Sequence, residues 1–247
     1  MNNIAFITST INPNPDVFLL KRISVSERLK DYETAFRFYC GMLNNGIFDC
    51  IVYVDNSGYT LSSLENIAIE LNVRDKVEFI SYQSKDSPDN SRYFLEINLI
   101  QYGMNASYKV IEAKSPMIWK ITGRYLIQNI DKIIRELNRN VDLYINFRNK
   151  PYKVADFYLV GFSEAGYEGV LGRDVNLYKG KIDGERILRE QIENQEFKEL
   201  NVVTRFRYIP RVYGIRGFDN KSYNNMLNTS KYYFRVGINY IFPRLWL

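Results

Sequence analysis

The stretch Met117-Ile-Trp-Lys-Ile-Thr-Gly-Arg-Tyr125 does most to decide the fold expected for this chain. It begins as an apolar run typical of a buried strand and ends in a polar cluster of Lys120, Thr122, Gly123 and Arg124, ahead of a helical pattern. Two cations, a hydroxyl group and a glycine at the end of a buried strand suit a phosphorylated ligand, because hydrogen-bond donors and positive charge converge where the backbone can approach closely.

An earlier segment ends in the same way. The apolar run Cys50–Val54 passes into Asp55, Asn56, Ser57 and Gly58 before another helical pattern. Asp55 could accept a hydrogen bond from a ribose or a base, while Ser57 and Gly58 could shape a tight turn. The alternative is an ordinary turn in which Asp55 and Ser57 serve only the backbone. Together, the two polar strand ends predict one nucleotide-binding edge.

Outward from these segments, strand and helix patterns alternate along the chain. The predicted strands are Ile4–Thr8, Cys50–Val54, Val77–Ile80, 117–121, Asp142–Phe147 and Asp156–Phe162. Helical spacing of apolar residues covers 29–43, 61–71, 93–106, 127–137 and 183–199. Ser24-x-x-Glu27 and Ser62-x-x-Glu65 have the spacing of capping boxes. The alternation predicts an α/β fold with a mainly parallel sheet flanked by helices, and an irregular segment after residue 200.

The amino-acid composition limits which kinds of catalytic and metal-binding site the chain can form. With 247 residues, 46% of them hydrophobic, the chain can bury a substantial core in one globular unit. Cys40 and Cys50 are the only cysteines, so a disulfide framework is not expected. The chain has no histidine, which excludes the usual general base and the usual zinc ligand. No apolar run is long enough to cross a bilayer and no signal peptide is evident, so we expect a cytoplasmic protein.

Two carboxylates are candidates for acid-base chemistry near the polar strand ends. Lys120 would be costly to bury without a partner, so it either serves a ligand or pairs with a carboxylate such as Glu96. Glu96 lies among apolar residues of a helical pattern, where a solvated helix face is the alternative. Asp142 and Asp156 each begin a strand-like run and could act as a ligand or a base, with solvation at a strand edge as the alternative.

A late helical pattern carries three further acids, Glu185, Glu190 and Glu193. These are solvated charges by default, and Glu190 is the weakest of the site candidates.

Residues 201–247 are strongly basic and aromatic. They hold eleven aromatic residues and a single acid, Asp219, and their eight cations are Arg205, Arg207, Arg211, Arg216, Lys221, Lys231, Arg235 and Arg244. Among the aromatic residues are Tyr208, Tyr213, Tyr232, Tyr233, Phe234, Phe242 and Trp246. Such a surface could pack onto the sheet, lie on anionic lipid headgroups, or track nucleic acid. Membrane contact is favoured over nucleic acid, for which no motif is present.

Four segments give the chain a family resemblance. They are Arg28-Leu-Lys-Asp-Tyr32, Val54-Asp-Asn-Ser-Gly-Tyr59, Val77-Glu-Phe-Ile-Ser-Tyr-Gln83 and Trp119-Lys-Ile-Thr-Gly-Arg-Tyr125. In this order they resemble bacterial glycosyltransferases of capsule, O-antigen and lipooligosaccharide clusters, which have a GT-A-like nucleotide-sugar domain. The resemblance covers roughly residues 4–165. It implies a nucleotide-sugar-binding region over 1–165 and an acceptor-side and C-terminal segment over 166–247 packed on the same domain.

The resemblance also implies roles for individual residues. Asp55 would contact the donor base, and the predicted donor site comprises Thr8, Thr10, Arg28, Asp55, Asn56, Ser57, Lys120, Thr122, Gly123 and Arg124. GT-A enzymes generally hold a divalent metal, such as manganese or magnesium, with an Asp-x-Asp at a later strand end. This chain has Lys120-Ile-Thr-Gly-Arg124 there and no Asp-x-Asp, so no residue is predicted as a metal ligand, and a divalent metal stays an open alternative. The two cations could instead balance the leaving diphosphate directly.

The sequence therefore favours a sugar transferase that uses a nucleotide-sugar donor. For the base that deprotonates the acceptor hydroxyl, Asp156 is the first choice and Glu96 or Glu190 the reserves. The expected acceptor is a glycan or a lipid-linked glycan at the inner face of the plasma membrane, with the basic tail against the bilayer. The alternative is a non-catalytic module that binds nucleotides or polyanions, and nucleic-acid binding through the tail is a second rival.

Overall fold

The structure, a computed structural model, describes residues 2–17, 19–137, 140–194, 197 and 199–242. Its strands are β1 (Asn3–Ser9), β2 (Cys50–Asp55), β3 (Val77–Ser81), β4 (Met117–Thr122), β5 (Leu126–Ile127), β6 (Leu143–Arg148), β7 (Val154–Phe162), β8 (Val202–Val203) and β9 (Val212–Tyr213). Its helices are α1 (Val25–Asn44), α2 (Ser62–Glu70), α3 (Arg92–Ala106), α4 (Tyr108–Ile111), α5 (Ile130–Arg135), α6 (Glu164–Gly166), α7 (Gly184–Asn194) and α8 (Met226–Ile241).

Seven strands form one sheet in the order β3-β2-β1-β4-β7-β6-β8. The first four run parallel, because each strand is followed by a helix that returns the chain to the same edge. β7 is antiparallel to both neighbours, and β8 is parallel to β6. The predicted α/β class, with a mainly parallel sheet flanked by helices, is confirmed.

Helices cover both faces of this sheet, which is why the central strands are apolar almost throughout. On one face α1, α2 and α5 enclose a core that contains Phe36, Tyr53 and Trp119. On the other face α3 and α7 enclose a second core with Phe6, Ile97 and Leu188.

The two predicted capping boxes have different outcomes. The Ser24 side chain accepts a hydrogen bond from the backbone N–H of Glu27, so α1 begins as predicted. The prediction for Ser62 is wrong, since Leu61 occupies the N-cap of α2 and makes no side-chain cap bond. Spacing alone does not form a capping box when the serine is already inside the first turn.

Gly103 brings α3 into close contact with the sheet. A Cβ atom at this position would lie 2.6 Å from the ring of Phe6 and 2.7 Å from a methyl group of Val54. Glu96 lies two helical turns before Gly103 and therefore on the same side of α3. The close approach holds Glu96 against the ends of the central strands.

The C-terminal part of the chain is less irregular than predicted. Residues 214–225 are mostly turns, with one short bridge from Ile215 to Ser222. The expectation of an irregular segment is wrong for 226–241, which form helix α8. β8 extends the main sheet, and β9 pairs with β5. The division into 1–165 and 166–247 stays a prediction.

Within the described part of the chain, no helix is both long and apolar enough to cross a bilayer.

Candidate functional site

A cavity of about 970 Å³ lies at the carboxyl ends of the parallel strands. The ends of β1, β2 and β4 form one wall, β6, β7 and the start of α7 form the opposite wall, and residues 209–218 with α8 close it. This is the edge that the polar strand ends predicted. The volume is in the range of cavities that hold small-molecule ligands.

Positive charge predominates among the described residues that line the cavity. The cations are Arg28, Arg92, Arg124, Arg148, Lys181, Arg211, Arg216, Lys231 and Arg235. The acids are Asp86, Glu96, Asp156, Asp183 and Glu185. With nine cations and five acids, the cavity favours an anionic ligand.

Asp55 lies beneath the cavity wall, with no exposed surface. Its carboxylate accepts hydrogen bonds from the Ser9 hydroxyl (2.7 Å), the Ile11 N–H (2.9 Å), and the N–H and hydroxyl of Ser57 (2.8 and 2.5 Å). These bonds tie the end of β2 to the segment after β1. The turn-forming alternative for Asp55 is therefore the one observed, and the base contact implied by the family resemblance finds no exposed carboxylate.

Asn56 and Ser57, by contrast, do border the cavity, as does Thr10. The Thr10 hydroxyl donates to the Asn56 side-chain oxygen at 2.7 Å, and the Ser57 hydroxyl accepts from the Asn12 N–H at 3.0 Å. These bonds leave the strand-end loops fixed in position around the cavity.

Lys120 is fully buried and forms the ion pair that was the structural alternative for it. Its Nζ lies 2.6 Å from Oε1 of Glu96 and donates to the Thr122 hydroxyl at 3.0 Å and to the carbonyl oxygen of Phe157. Burial lowers the pKa of Lys120, and the neighbouring Glu96 carboxylate opposes that shift. Lys120 therefore joins β4, β7 and α3 behind the cavity wall, and it does not reach the cavity itself.

Glu96 is the outer member of this pair and does line the cavity. Besides Lys120, its Oε1 accepts from the hydroxyl groups of Thr8 at 2.8 Å and Thr122 at 3.3 Å. Thr8 and Thr122 both border the cavity, on adjacent strands. Three donors on one oxygen hold the Glu96 carboxylate in a fixed position.

Gly123 has a packing role. A Cβ atom there would lie 2.8 Å from both the backbone oxygen of Thr8 and a methyl group of Ile7. Its N–H donates to the Thr8 carbonyl at 2.9 Å. Glycine thus lets the end of β4 remain against β1 while the chain turns toward Arg124.

Arg28 and Arg124 border the cavity, yet both are more than nine-tenths buried. Arg28 donates to the carbonyl oxygens of Thr10 (2.7 Å) and Arg22 (3.0 Å) and to the Tyr32 hydroxyl (3.1 Å). Arg124 donates to the Ile215 carbonyl at 2.8 Å, and its Nε has no hydrogen-bond partner. Within the described ranges, no Asp or Glu oxygen lies within 4.0 Å of either guanidinium. In the described part of the chain, these two buried guanidinium groups therefore form no ion pair. The charges of Asp55, near Arg28, and of Asp31, near Arg124, favour their protonated forms from a longer distance.

The opposite wall is shaped by an irregularity in β7. Ile145 of β6 pairs with Val160, but the next residue, Asn146, pairs with Asp156, so residues 157–159 form a large bulge. Bulges re-aim side chains next to functional sites. Here the bulge coincides with the points at which β7 contacts Lys120 and Glu185.

Asp156 lies beside this bulge and lines the cavity, nearly buried. Its carboxylate accepts from the Asn146 amide at 3.1 Å and lies 3.3 Å from Nε of Arg148. Burial raises the pKa of Asp156, while Arg148 and Asn146 act in the opposite direction. A carboxyl group with a raised pKa in a cavity is suited to proton transfer.

Glu185, which the sequence analysis interpreted as a solvated charge, lines the cavity. It lies in the first turn of α7, and its Oε1 accepts from the Phe157 N–H at 3.2 Å. Burial and, to a smaller extent, the charge of Asp156 raise the pKa of Glu185 to about 7. Leu188 and Ile192, three and seven positions later, are buried, so helical periodicity could have identified Glu185 as the inward-facing acid.

Glu190 lies on the opposite, solvent-exposed side of α7, where it pairs with Arg186 at 3.0 Å. The structure does not bring Glu190 to the cavity. Asp142 is also outside it, accepting from the Ser163 hydroxyl at 2.9 Å and from the Asn201 N–H at 2.9 Å. Arg244 and Trp246, which the tail prediction included, lie outside the described residues.

The chemistry of the β4 end does not fit a divalent metal. Thr122 and Arg124 are at the exposed end, Lys120 fills the space behind them, and Asp55 is fully engaged by four donors. Among the described residues, no group of three or more Cys, Asp or Glu side chains is arranged to hold a metal ion.

No protein-family model matches the chain, and no curated protein matches it. Among solved structures, it is similar to one from Desulfovibrio desulfuricans G20 described as a "putative nucleotide-diphospho-sugar transferase". The two are 9% identical with a TM-score of 0.46, over 83% of this chain and 80% of that one. Similarity at this level concerns the general arrangement of strands and helices, and not the substrate or the roles of residues.

Proposed function

We propose that this protein is a glycosyltransferase that moves a sugar from a nucleotide-sugar donor to an acceptor hydroxyl group in the cavity. The observation that carries the proposal is the pair Arg28 and Arg124, buried at the cavity wall with no carboxylate oxygen of the described residues within 4.0 Å. Burying a cation without a counter-charge is costly, so an anionic ligand is expected to complete the site. The diphosphate of a nucleotide sugar supplies that charge, and guanidinium groups bind phosphate oxygens well.

The second requirement of transfer is a base for the acceptor, and the opposite wall offers one. Asp156 and Glu185 both line the cavity, and both have raised pKa values. The charge of Asp156 adds to the burial that raises the pKa of Glu185, because a nearby like charge disfavours the ionised form. We assign Asp156 as the base, with Glu185 as its partner.

The proposed reaction is a displacement at the anomeric carbon. The acceptor oxygen forms a bond to this carbon while the bond to the diphosphate oxygen breaks. The hydroxyl proton passes to the Asp156 carboxylate, and the nucleoside diphosphate leaves with the bonding electrons. Arg28 and Arg124 would stabilise the negative charge that develops on the leaving group. No step requires a metal ion.

Glu96 is a weaker choice for the base. Although it borders the cavity, its Oε1 is engaged by Lys120, Thr8 and Thr122. A proton acceptor already held by three donors has less capacity for a fourth.

We further propose that the acceptor is a glycan or a lipid-linked glycan in the synthesis of bacterial surface polysaccharide. The support for this part is the resemblance of the four sequence segments to glycosyltransferases of those clusters.

The donor site can be tested by thermal-shift measurements on the full chain with UDP, GDP, CMP and inorganic pyrophosphate. We expect one nucleotide to raise the melting temperature of the wild type, and Arg124→Gln to abolish that shift. Arg37→Gln is the matched control, because Arg37 pairs with Glu70 on an exposed surface away from the cavity. Loss of the shift in both variants, or in neither, would argue against the proposed site.

Transfer itself is tested by incubating the chain with sugars carried by the nucleotide that binds, and following release of the nucleoside diphosphate. Release above the rate of a no-enzyme control supports the glycosyltransferase. Stabilisation by every polyanion, pyrophosphate included, without release from any nucleotide sugar would favour the non-catalytic binding module.

A further inference from the structure

Helix α8 has the reverse of the polarity expected for a helix at a protein surface. A surface helix normally turns its apolar stripe toward the core and its polar side toward solvent. In α8 the residues that line the cavity include Asn228, Thr229 and Arg235, whereas Leu227, Phe234 and Ile241 are each more than 60% exposed.

The outward residues form one continuous stripe. Met226, Tyr233 and Tyr240 recur every seven positions, and Leu227, Phe234 and Ile241 do the same one position later. Both sets are exposed, and residues at these spacings share a helix face. None of the residues of α8, all of them described, is fully buried. A contiguous exposed apolar stripe of this kind marks an interaction surface.

The orientation of α8 is fixed by contacts on its polar side. The Asn225 side chain caps the helix by accepting from the Asn228 N–H at 2.7 Å. Arg211 lies over the ring of Tyr232, at 5.8 Å from the centroid, and Arg205 donates to Asn239. These contacts hold the polar side of α8 toward the cavity. Arg211 also lies 5.6 Å from the ring centroid of Tyr233, at the edge of the apolar stripe.

The charge around the stripe indicates what covers it. Residues 201–242 contain seven Lys and Arg residues and one acid, Asp219. Within α8 the charged residues are Lys231 and Arg235. Both border the cavity, and Lys231 is also exposed to solvent. An apolar stripe with tyrosines, cations and no carboxylate is complementary to a bilayer with anionic headgroups.

We propose that α8 docks this protein onto an anionic lipid surface, lying in the plane of the interface with Leu227, Phe234 and Ile241 in the lipid. The cavity then lies on the side of α8 that faces away from the bilayer, separated from the lipid by the width of this helix. A second copy of the chain is a poorer occupant, because two such surfaces would bring like charges together. This proposal does not depend on sugar transfer.

Vesicle flotation of the full chain tests it. We expect the wild type to float with vesicles of equal parts phosphatidylcholine and phosphatidylglycerol, and much less with phosphatidylcholine alone. Phe234→Asp should weaken binding at least about tenfold, since one buried aromatic side chain is lost from the lipid. The matched control is Ile69→Asp, because Ile69 is 59% exposed on α2 and should leave binding unchanged.

The charge component has its own test. Lys231→Glu should weaken flotation and reduce its sensitivity to salt, whereas Lys76→Glu, at an exposed position near β3, should do neither. Equal flotation of wild type and Phe234→Asp would overturn the proposal. So would a dimer in sedimentation experiments without vesicles that Phe234→Asp dissociates. Nucleotide-induced thermal shifts of Phe234→Asp should match the wild type, which separates this test from that of the donor site.

Discussion

The charged side chains on the two walls of the cavity differ in how fully they are paired. On the wall formed by β1, β2 and β4, Asp55 has four donors, and Lys120 and Glu96 neutralise each other. On the wall formed by β7 and α7, burial raises the pKa of both Asp156 and Glu185, and the charge of Asp156 raises that of Glu185 further. Arg148 opposes the shift in both carboxyl groups. Charged groups that neutralise each other stabilise this edge of the sheet. Charged groups that lack a complete set of partners can interact with a ligand in the cavity.

The largest effect expected from this comparison concerns the Lys120–Glu96 pair. Lys120→Met should lower the free energy of unfolding by about 3 kcal/mol, because the partly buried carboxylate of Glu96 loses its counter-charge. Urea denaturation measures this loss, and adding Glu96→Gln should recover part of it. Lys76→Met, at an exposed position, is the control. Full stability of Lys120→Met would show that this wall is not held by the pair.

A substitution on the wall formed by β7 and α7 should change the rate of sugar transfer and leave the free energy of unfolding little changed. Asp156→Asn is expected to slow sugar transfer by about 100-fold, the lower range for losing a general base, with nucleotide affinity little changed. Steady-state kinetics separates the two quantities. Asp142→Asn is the control at another strand-start acid, and it should reduce stability without a selective loss of transfer. A normal rate in Asp156→Asn would remove Asp156 as the base.

The pKa of Glu185 predicts how stability depends on pH. The folded-state pKa of about 7 exceeds the unfolded value, so the folded protein holds an extra proton between about pH 4.5 and 7. The stabilisation that this extra proton gives to the folded protein is fully present below the pKa of the unfolded state. It is lost as the pH rises through 7. Its size is about 2 kcal/mol, after allowing for partial exposure.

Equilibrium unfolding of wild type and Glu185→Gln across this pH range checks that expectation. The stability of Glu185→Gln relative to wild type should increase with pH up to about 7 and then level off. Parallel stability curves for the two proteins would contradict the assignment.

The smallest expected effect belongs to the strand-end loops. Thr10→Val removes the 2.7 Å bond to Asn56 and should lower stability by about 1 kcal/mol. The same change should weaken nucleotide binding only slightly if Thr10 serves to order the loop. A loss of binding far above the loss of stability, seen by calorimetry, would show that Thr10 contacts the ligand directly.

The sequence predicted that the polar strand ends lie together better than it predicted the contacts of their residues. The polar ends of β1, β2 and β4 do meet at one cavity, because parallel strands end at the same edge. Thr8, Thr10, Arg28, Asn56, Ser57, Thr122 and Arg124 border it as expected. Asp55 and Lys120 lie behind the wall, and Gly123 serves packing, because each found partners on neighbouring strands that no local pattern reveals.

The spacing of buried residues in α7 distinguishes the acid that faces inward from the acid that faces solvent. The buried positions Leu188 and Ile192 fix which side of the helix faces inward, and Glu185 shares that side. Glu190 falls on the other side. The bulge in β7 could not be predicted in this way, since it follows from how β6 and β7 pair.

The sequence by itself determined the alternation of strands and helices, the polar strand ends, and the excess of positive charge after residue 200, because periodicity and composition are local properties. Only the tertiary structure decided which charges neutralise one another, which acid faces the cavity, and which side of α8 is left uncovered. Those outcomes depend on contacts between residues far apart in the chain, where burial and a neighbouring charge decide whether an ionisable group is satisfied.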